Sequence, residues 1–268
     1  MKLKVLVDNN TYIDEYYLGE PGVSFYIETV GAKILFDTGY SDIFIKNAEK
    51  MGVDLNFVTH IVLSHGHLDH TNGLKYLLEK TDLKNVEIIC HPSCFNPKTK
   101  GALYIGAPMN EDEISAAAKY APSKTPRFIT PDCVFLGEIP RVNGFENKTP
   151  IGRKNEFGCW SDDYLLDDSA LAFKTENGIF IVTGCSHSGI CNIVSYAKEI
   201  LGCDKIAGII GGFHLLEDDV RLDSTIEYLK DLKADKLYPC HCVCLKAKAK
   251  MINSMKIEEV GVGMEINV

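Results

Sequence analysis

The sequence predicts an α/β protein whose two halves follow the same plan. Each half contains a hairpin of apolar strands, at 24–30 and 33–37 in the first half and at 170–174 and 179–182 in the second. In each half a strand then runs into a loop that contains histidine, and an amphipathic stretch follows that loop. Strand-forming runs that alternate with helical spacing are typical of a mixed α/β fold. A chain of 268 residues with 46% hydrophobic residues can bury one large core, so we expect a single domain.

The other elements follow in order along the chain. A helix at 41–51 ends at Gly52, a residue suited to the left-handed turn after a helix. The further predicted strands are at 3–7, 61–63, 86–90, 206–210 and 236–239, with closing strands near 257–260 and 264–267. The further predicted helices are at 74–80, from Ile193 to Ile200, at about 222–232 and at 246–255.

The pattern changes between about residues 92 and 163. Glycine and proline recur there, and no candidate ligand histidine occurs. We interpret this segment as an insertion that caps the sheet edge and shapes a substrate pocket. Arg141 is its candidate contact for an anionic substrate, since a guanidinium pairs well with phosphate or carboxylate. Arg153 and Lys154 are equally well explained as solvated charges.

A dense histidine motif stands directly after the strand at 61–63. His65, His67 and His70 fall within six residues, although the chain has only 8 histidines, and Asp69 lies among them. His65 and His67 can point the same way from extended backbone, since side chains repeat every second residue there. Asp69 and His70 then lie at the start of a helix and face a neighbouring position. Imidazole and carboxylate ligands suit zinc, iron or manganese, so the motif predicts two metal ions.

Three more histidines follow predicted strands in the second half, namely His187, His214 and His241. We expect the strand ends to bring them to the edge that carries the first motif. The Gly-rich turn before the helix that follows His187 has a second interpretation, because a phosphate can bind at a helix N-terminus. Both uses can coexist.

These motifs resemble a known family. His65-Gly66-His67-Leu68-Asp69-His70 resembles the His-x-His-x-Asp-His signature of the metallo-β-lactamase superfamily, and Phe36-Asp37-Thr38-Gly39 resembles the Asp motif that precedes it there. The resemblance implies a four-layer αββα sandwich with a dinuclear metal site at one edge. It also implies that Asp37 orients the metal ligands from behind. On the residues alone, Asp37 is as well explained as a turn cap.

The resemblance assigns ligands in the second half, with one departure. Cys185 stands where the family has an Asp that bridges the two metals, and the histidine usually found upstream of that place is missing. His187 is the substitute third ligand of the first metal, and His241 is the last ligand of the second. The departure leaves the coordination and the metal open. His214 is a ligand, a proton carrier or a substrate contact.

A dinuclear site of this kind predicts hydrolysis. Two divalent ions, zinc in the first place and manganese or iron as alternatives, would hold a bridging hydroxide at neutral pH. It would attack an ester, phosphoester or lactone, with Asp69 as ligand and proton acceptor. We expect a small, anionic or phosphorylated substrate.

Three further motifs narrow the resemblance and add an alternative. Gly-Cys-Ser-His-x-Gly-Ile, Gly-Gly-Phe-His-Leu and Pro-Cys-His-Cys resemble a subgroup around an archaeal dihydropterin-6-methyl-(ribofuranosyl)aminobenzene phosphate synthase. That subgroup implies a transferase acting on a pterin-linked phosphate. A non-catalytic metal-binding protein is the third interpretation, and it predicts a filled coordination shell with no pocket.

Composition excludes other classes. A net charge of −9 argues against a general nucleic-acid surface. The apolar run at 3–7 is too short for a signal peptide or a membrane span, so we expect a cytoplasmic protein with reduced cysteines. A separate zinc knuckle at Cys240-His241-Cys242-x-Cys244 lacks a second Cys/His pair nearby and is disfavoured. A homo-oligomer is compatible with the sequence.

Overall fold

The structure is a computed structural model that describes residues 1–146 and 148–268. Its strands are β1 (Lys2–Val7), β2 (Ser24–Thr29), β3 (Ala32–Phe36), β4 (His60–Val62), β5 (Glu87–Ile89), β6 (Lys98–Lys100), β7 (Leu103–Tyr104), β8 (Lys119–Tyr120), β9 (Arg127–Thr130), β10 (Cys133–Phe135), β11 (Arg153–Glu156), β12 (Cys159–Asp162), β13 (Ala170–Thr175), β14 (Gly178–Thr183), β15 (Ile206–Gly211), β16 (Lys236–Pro239) and β17 (Glu265–Asn267). Its helices are α1 (Ile43–Lys50), α2 (Leu68–Thr71), α3 (Leu74–Lys80), α4 (Glu111–Ala117), α5 (Ile190–Leu201), α6 (Val220–Leu232) and α7 (Leu245–Ile252).

Two mixed sheets carry the fold, and they are built alike. The first has the strand order β17-β1-β2-β3-β4-β5-β8, and the second has the order β16-β15-β14-β13-β10-β9. In the first sheet β1, β2 and β3 pair antiparallel, whereas β3, β4 and β5 run parallel. In the second, β10, β13 and β14 pair antiparallel, whereas β14, β15 and β16 run parallel. Each sheet therefore consists of an antiparallel part followed by a parallel part. The two halves of the sequence, which follow the same plan, predict this likeness.

Alternating side chains divide the core into three layers. Along β3, Ile34 and Phe36 face the second sheet, while Leu35 between them packs against the helices that cover the first sheet. In the second sheet Phe180 and Val182 face inward, and the neighbouring positions of β14 pack against α5, α6 and α7. A strand with one face on each apolar layer needs apolar residues at every position, which explains the continuous apolar runs. The αββα sandwich that the resemblance implies is confirmed.

The segment 92–163 is divided among three sheets. Its strand β8 extends the first sheet, and β9 and β10 extend the second. Four strands form a small third sheet in the order β12-β11-β6-β7. Among the described residues, this segment therefore contributes strands to both sheets of the sandwich as well as to a separate small sheet. The third sheet reaches the histidine motif through an antiparallel bridge between His67 and Gly106.

The end of the chain differs from expectation in one element. Residues 264–267 contain the predicted strand, as β17, which pairs with β1. The other predicted strand, at 257–260, does not form. In this stretch the Glu258 N–H donates a backbone hydrogen bond to the Leu237 carbonyl. In the described part of the chain no helix is long and apolar enough to cross a membrane.

Candidate metal centre

The site lies where the parallel strands of both sheets end. Side chains at the carboxyl ends of parallel strands meet at one edge of a sheet, and here the two sheets present that edge together. Strand β3 leads into Asp37, β4 into the histidine motif, and β14, β15 and β16 into loops of the second half. The residues brought together in this way are Asp37, Ser64, His65, His67, Asp69, His70, Cys185, His187, His214, His241 and Cys242.

Four non-glycine residues with positive φ lie at the same edge. Asp37, Ser186, His214 and His241 have φ angles of 54°, 58°, 48° and 52°. Residues other than glycine seldom adopt such values, and each costs about 1–3 kcal/mol that the surrounding structure must offset. Four strained residues in four different loops are typical of side chains that are held in place for function.

Asp37 fixes the orientation of two imidazoles. Its Oδ1 accepts the Ser64 backbone N–H, and its Oδ2 lies 2.7 Å from Ser64 Oγ and 2.7 Å from His70 Nδ1. The carboxylate can only accept, so His70 carries its proton on Nδ1. Ser64 Oγ donates to Asp37 and lies 3.0 Å from His65 Nδ1, so the hydroxyl accepts the proton of that nitrogen. In the neutral imidazole of each residue, Nε2 therefore carries the lone pair that can bind a metal.

The loop after β1 orients a third imidazole. His241 Nδ1 donates to Asn9 Oδ1 at 2.9 Å, and the His241 backbone N–H donates to Asp8 Oδ1 at 2.9 Å. His241 Nε2 then faces Asp69 Oδ2 at 3.5 Å, and His70 Nε2 lies 3.6 Å from the same oxygen. The structure thus brings Asp69, His70 and His241 together as one set of donor atoms.

His65, His67 and His187 form a second donor set. His65 Nε2 lies 3.0 Å from His67 Nδ1, and the His187 ring centroid lies 4.8 Å and 5.0 Å from those of His65 and His67. Among the described residues, His67 Nε2 and both ring nitrogens of His187 are buried and have no hydrogen-bond partner. An unpaired buried polar atom is costly, so these nitrogens indicate a ligand at this point. The donor set fits a divalent metal ion.

A buried ion pair supports the backbone of this set. Asp167 Oδ2 accepts the Gly66 N–H at 2.8 Å and lies 3.0 Å from Lys98 Nζ. Lys98 is fully buried and also donates to the Ser93 carbonyl. A Cβ at Gly66 would lie 1.8 Å from the Cys94 carbonyl oxygen, so this position of the motif requires glycine.

Cys185 lies between the donor sets. Its sulfur is 3.2 Å from His70 Nε2. Among the described residues there are three groups in which the donor atoms all lie within 4.8 Å of one another. Each group contains Cys185: with His65 and His187, with His70 and His241, and with His214 and Cys242. His214, whose role the sequence leaves open, packs its ring 4.3 Å from that of His187 and thus belongs to the same cluster.

Burial and neighbouring charges divide the protonation states. Burial lowers the pKa of His67 to about 4, even though Asp69 and Asp167 raise it. For His70 burial also lowers the pKa, but Asp69 and Asp37 outweigh it and raise the pKa to about 9. Burial would raise the pKa of Asp69, but His70 and His241 hold it below its usual value. Asp69 is therefore a carboxylate at neutral pH.

An open cavity of about 630 Å³ lies above the donors. Its described lining includes the site residues His67, Asp69, Cys185, His187, His214, His241 and Cys242, and the rim residues Asn9, Pro21, Tyr40, Leu68, Lys100, Tyr104, Ile105, Ile151 and Leu216. The rim is mostly apolar, and Lys100 brings a cation to it.

Arg141, the predicted substrate contact, is held elsewhere. Its guanidinium donates to the backbone carbonyls of Tyr164 and Leu165, and it is not among the described residues that line the cavity. Two carbonyl acceptors fix the guanidinium against the 164–165 backbone, which explains why it does not reach the donors. Among the described residues that line the cavity, Lys100 is the lysine.

Several site residues have weak sequence signals. Lys100 and Tyr104 belong to the hairpin of β6 and β7, which a bond from Leu68 N–H to the Ile105 carbonyl anchors over the motif. No periodicity predicts such a long-range contact. The Asp8-Asn9 pair directly after a strand was a usable signal, because acidic and amide residues at a strand end suit an edge that carries ligands.

The thiols of the disfavoured zinc knuckle occupy three different environments. Cys240 is buried between the two sheets, Cys242 faces the metal centre, and Cys244 caps α7 through its sulfur. The positive φ of His241 interrupts the alternation and separates the first two. Among the described residues all ten cysteines are free thiols.

The chain belongs to the metallo-β-lactamase superfamily. The family model of that superfamily matches residues 18–120, which contain the Asp37 loop and the histidine motif. The resemblance found in these motifs is thereby confirmed, and the fold implies divalent metal binding.

Relatives cover the whole chain. A protein of Methanocaldococcus jannaschii, named 7,8-dihydropterin-6-methyl-4-(β-D-ribofuranosyl)-aminobenzene-5'-phosphate synthase, is 32% identical over 96% of this chain and 92% of its own length. An uncharacterized protein of that organism, MJ0448, is 35% identical over 97% of this chain and 98% of its own length. The solved structure of Tm1679, described as a metal-dependent hydrolase of the β-lactamase superfamily, is 28% identical. It matches with a TM-score of 0.86 over 100% of this chain and 99% of that one.

Proposed function

We propose that the protein is a metal-dependent hydrolase with a dinuclear site, acting on an ester, phosphoester or lactone bond of a small anionic molecule. The proposal rests on buried imidazole nitrogens that lie beneath an open cavity. Among the described residues, His67 Nε2 and both ring nitrogens of His187 have no hydrogen-bond partner there. A non-catalytic metal-binding protein would have no need of such a cavity.

Two ligand groups would hold the two ions. His65, His67 and His187 form the first, and Asp69, His70 and His241 form the second. Cys185 lies within reach of both. When bound, a pair of divalent ions, zinc in the first place, would supply an activated water nucleophile and Lewis-acid polarisation of the substrate oxygen.

Asp69 is the group that accepts the proton of the attacking water. Its side chain is 34% exposed and stays ionised, so it faces the cavity as a carboxylate. Of its two oxygens, Oδ2 lies beside His70 and His241. The other is available to accept a proton. Positioned acid–base groups of this kind contribute about 10²–10⁴-fold in rate.

His214 would serve the leaving group. Its ring lies on the far side of His187 from the first histidine motif and also lines the cavity. Among the described residues its Nδ1 has no hydrogen-bond partner. An imidazole at this point can pass a proton to the departing oxygen.

The rim favours an anionic substrate with a flat apolar part. Tyr40 and Tyr104 are each 48% exposed and offer ring faces to such a part. Lys100 supplies the charge that would pair with a phosphate or carboxylate. Both Lys100 and Tyr104 are carried by the third sheet, so that sheet would determine the substrate.

A specific observation favours a second candidate, a transferase. The relative named as a synthase is 32% identical over almost the full length of both chains, and its name describes a product with a pterin ring and a phosphate. An aromatic and cationic rim would suit either reaction.

The test is a substrate panel with zinc- or manganese-loaded protein. It contains 4-nitrophenyl phosphate, bis(4-nitrophenyl) phosphate, 4-nitrophenyl acetate and a homoserine lactone. A parallel reaction with a reduced pterin and a ribofuranosylaminobenzene phosphate is analysed for a joined product by mass spectrometry. Asp69→Asn should lower kcat/KM at least about 100-fold, and the exposed control Asp204→Asn should not. A joined product without hydrolysis would favour the transferase, and no turnover in either reaction would contradict both.

A further inference from the structure

We propose that Cys185 and Cys242 bind the metal centre through sulfur, with Cys185 as the shared ligand. The centre would therefore select thiophilic divalent cations, such as zinc, cobalt and cadmium, over manganese and magnesium. The inference rests on the proposed dinuclear site and adds the sulfur ligands and the metal preference to it.

The Cys185 sulfur lies close to the histidine donors of both sets. Each of the three donor groups contains this sulfur, which lies 3.2 Å from His70 Nε2 and within 4.8 Å of His65 and His187 donor atoms. An atom within reach of both histidine sets would lie between two ions held by them. A thiolate there can bridge two ions, as a carboxylate would.

Cys242 offers a second sulfur beside Cys185. Its S–H donates to the Cys185 carbonyl oxygen at 3.6 Å, and its sulfur accepts the His214 backbone N–H at 3.3 Å. An accepted N–H favours the thiolate form that ligates metals. The sulfur also lines the cavity beside Cys185.

The backbone leaves room for this sulfur. A Cβ at Gly212 would lie 2.4 Å from Cys242 Sγ, so any other residue there would displace the sulfur from the site. The Gly212 N–H donates to the Gly184 carbonyl at 2.8 Å, which joins the loop after β15 to the loop of Cys185. The glycine thus holds the two cysteine loops close together without filling the space between them.

The donor chemistry gives the metal preference. Thiolates favour zinc and other soft or borderline ions, whereas manganese and magnesium favour oxygen donors.

Cobalt substitution tests the sulfur ligands independently of activity. Cobalt(II) is titrated into the metal-free protein, and the near-ultraviolet thiolate-to-cobalt charge-transfer band is recorded together with the bound cobalt per chain. The wild type should develop this band, Cys242→Ser should weaken it, and the double variant Cys185→Ser/Cys242→Ser should lack it. The control Cys203→Ser, which changes a partly exposed thiol in the turn after α5, should keep the full band.

The metal preference is tested by restoring a carboxylate. Cys185→Asp should keep metal binding but reduce the preference for zinc over manganese at least about 10-fold in competition titrations. Circular dichroism melts identify any variant that fails to fold, and the wild-type spectrum tests the proposal without any variant.

The outcomes separate this proposal from the proposed function. If wild-type protein binds cobalt without the band, or the double variant keeps it, sulfur ligation is overturned while the histidine centre stands. A band that Cys242→Ser leaves unchanged overturns the role of Cys242. If the wild type binds no cobalt, both proposals fail.

Discussion

Replacing Asp37 by Asn should weaken metal binding strongly, although Asp37 itself lies behind the ligands. The Asp37 carboxylate accepts three hydrogen bonds, from the Ser64 N–H, the Ser64 hydroxyl and His70 Nδ1. In Asp37→Asn, if the amide oxygen keeps the Ser64 N–H, the amide nitrogen faces His70 Nδ1. His70 Nδ1 must then accept a hydrogen bond from the amide. The proton of His70 therefore moves to Nε2, where it blocks metal binding.

The magnitude follows from the number of imidazoles affected. Loss of one partner behind a ligand costs about 10–100-fold in metal affinity. Because Asp37 orients His70 directly and His65 through Ser64, we expect the upper end, about 100-fold or about 2.7 kcal/mol. Ser64→Ala cuts only the connection to His65 and should cost about 10-fold.

The assay is competition for zinc against a chromophoric chelator, with circular dichroism melts to verify folding. The matched control Asp42→Asn changes a carboxylate that pairs with Lys46 on the surface and should bind zinc as the wild type does. A folded Asp37→Asn protein with wild-type zinc affinity would refute the assignment of the tautomers.

Three further predictions concern pH and the support beneath the site. A metal ion must displace the proton that His70, with its pKa raised to about 9, carries at neutral pH. Metal affinity should therefore rise about tenfold per pH unit between about pH 6 and 8, and a flat profile in isothermal titrations would contradict it. Gly66→Ala would put a Cβ 1.8 Å from a carbonyl oxygen and should lower stability to urea by more than about 2 kcal/mol. Gly144→Ala, with open space among the described residues, should be neutral, and equal midpoints would refute the steric argument. Lys98→Met leaves Asp167 buried without its cation and should cost about 3–5 kcal/mol in the same assay. Adding Asp167→Asn should recover part of that loss, and a neutral Lys98→Met would show that the pair is dispensable.

Local signals predicted much of the site. The motif from His65 to His70 lies at a strand-to-helix junction, and its ligands depend on residues that are neighbours in sequence. Strand ends were also informative, because parallel strands carry His187 and His241 to the same edge whatever the loops between them contain. The apolar runs of the strands are therefore enough to predict that His187 and His241 lie at this edge.

Contacts across the chain were not predictable from such signals. Lys100 reaches the cavity because β6 pairs with β11, a strand more than 50 residues later, and because Ile105 bonds to Leu68. Cys242 reaches Cys185 because His241 adopts a positive φ, which no periodicity indicates. The charge of Arg141 predicts a substrate contact, but a backbone carbonyl holds its guanidinium instead. Backbone carbonyls occur at every residue, so the sequence does not show which of them an arginine will bind.

Metal content per chain tests the dinuclear centre most directly. The protein is purified without chelators or added metal and measured by inductively coupled plasma mass spectrometry, beside His67→Ala and the control His60→Ala, whose ring lies on the strand before the site. A dinuclear centre predicts about two equivalents of zinc, manganese or iron per chain in the wild type and the control, and a clear loss in His67→Ala. One equivalent or none, unchanged in His67→Ala, would contradict the two-metal centre.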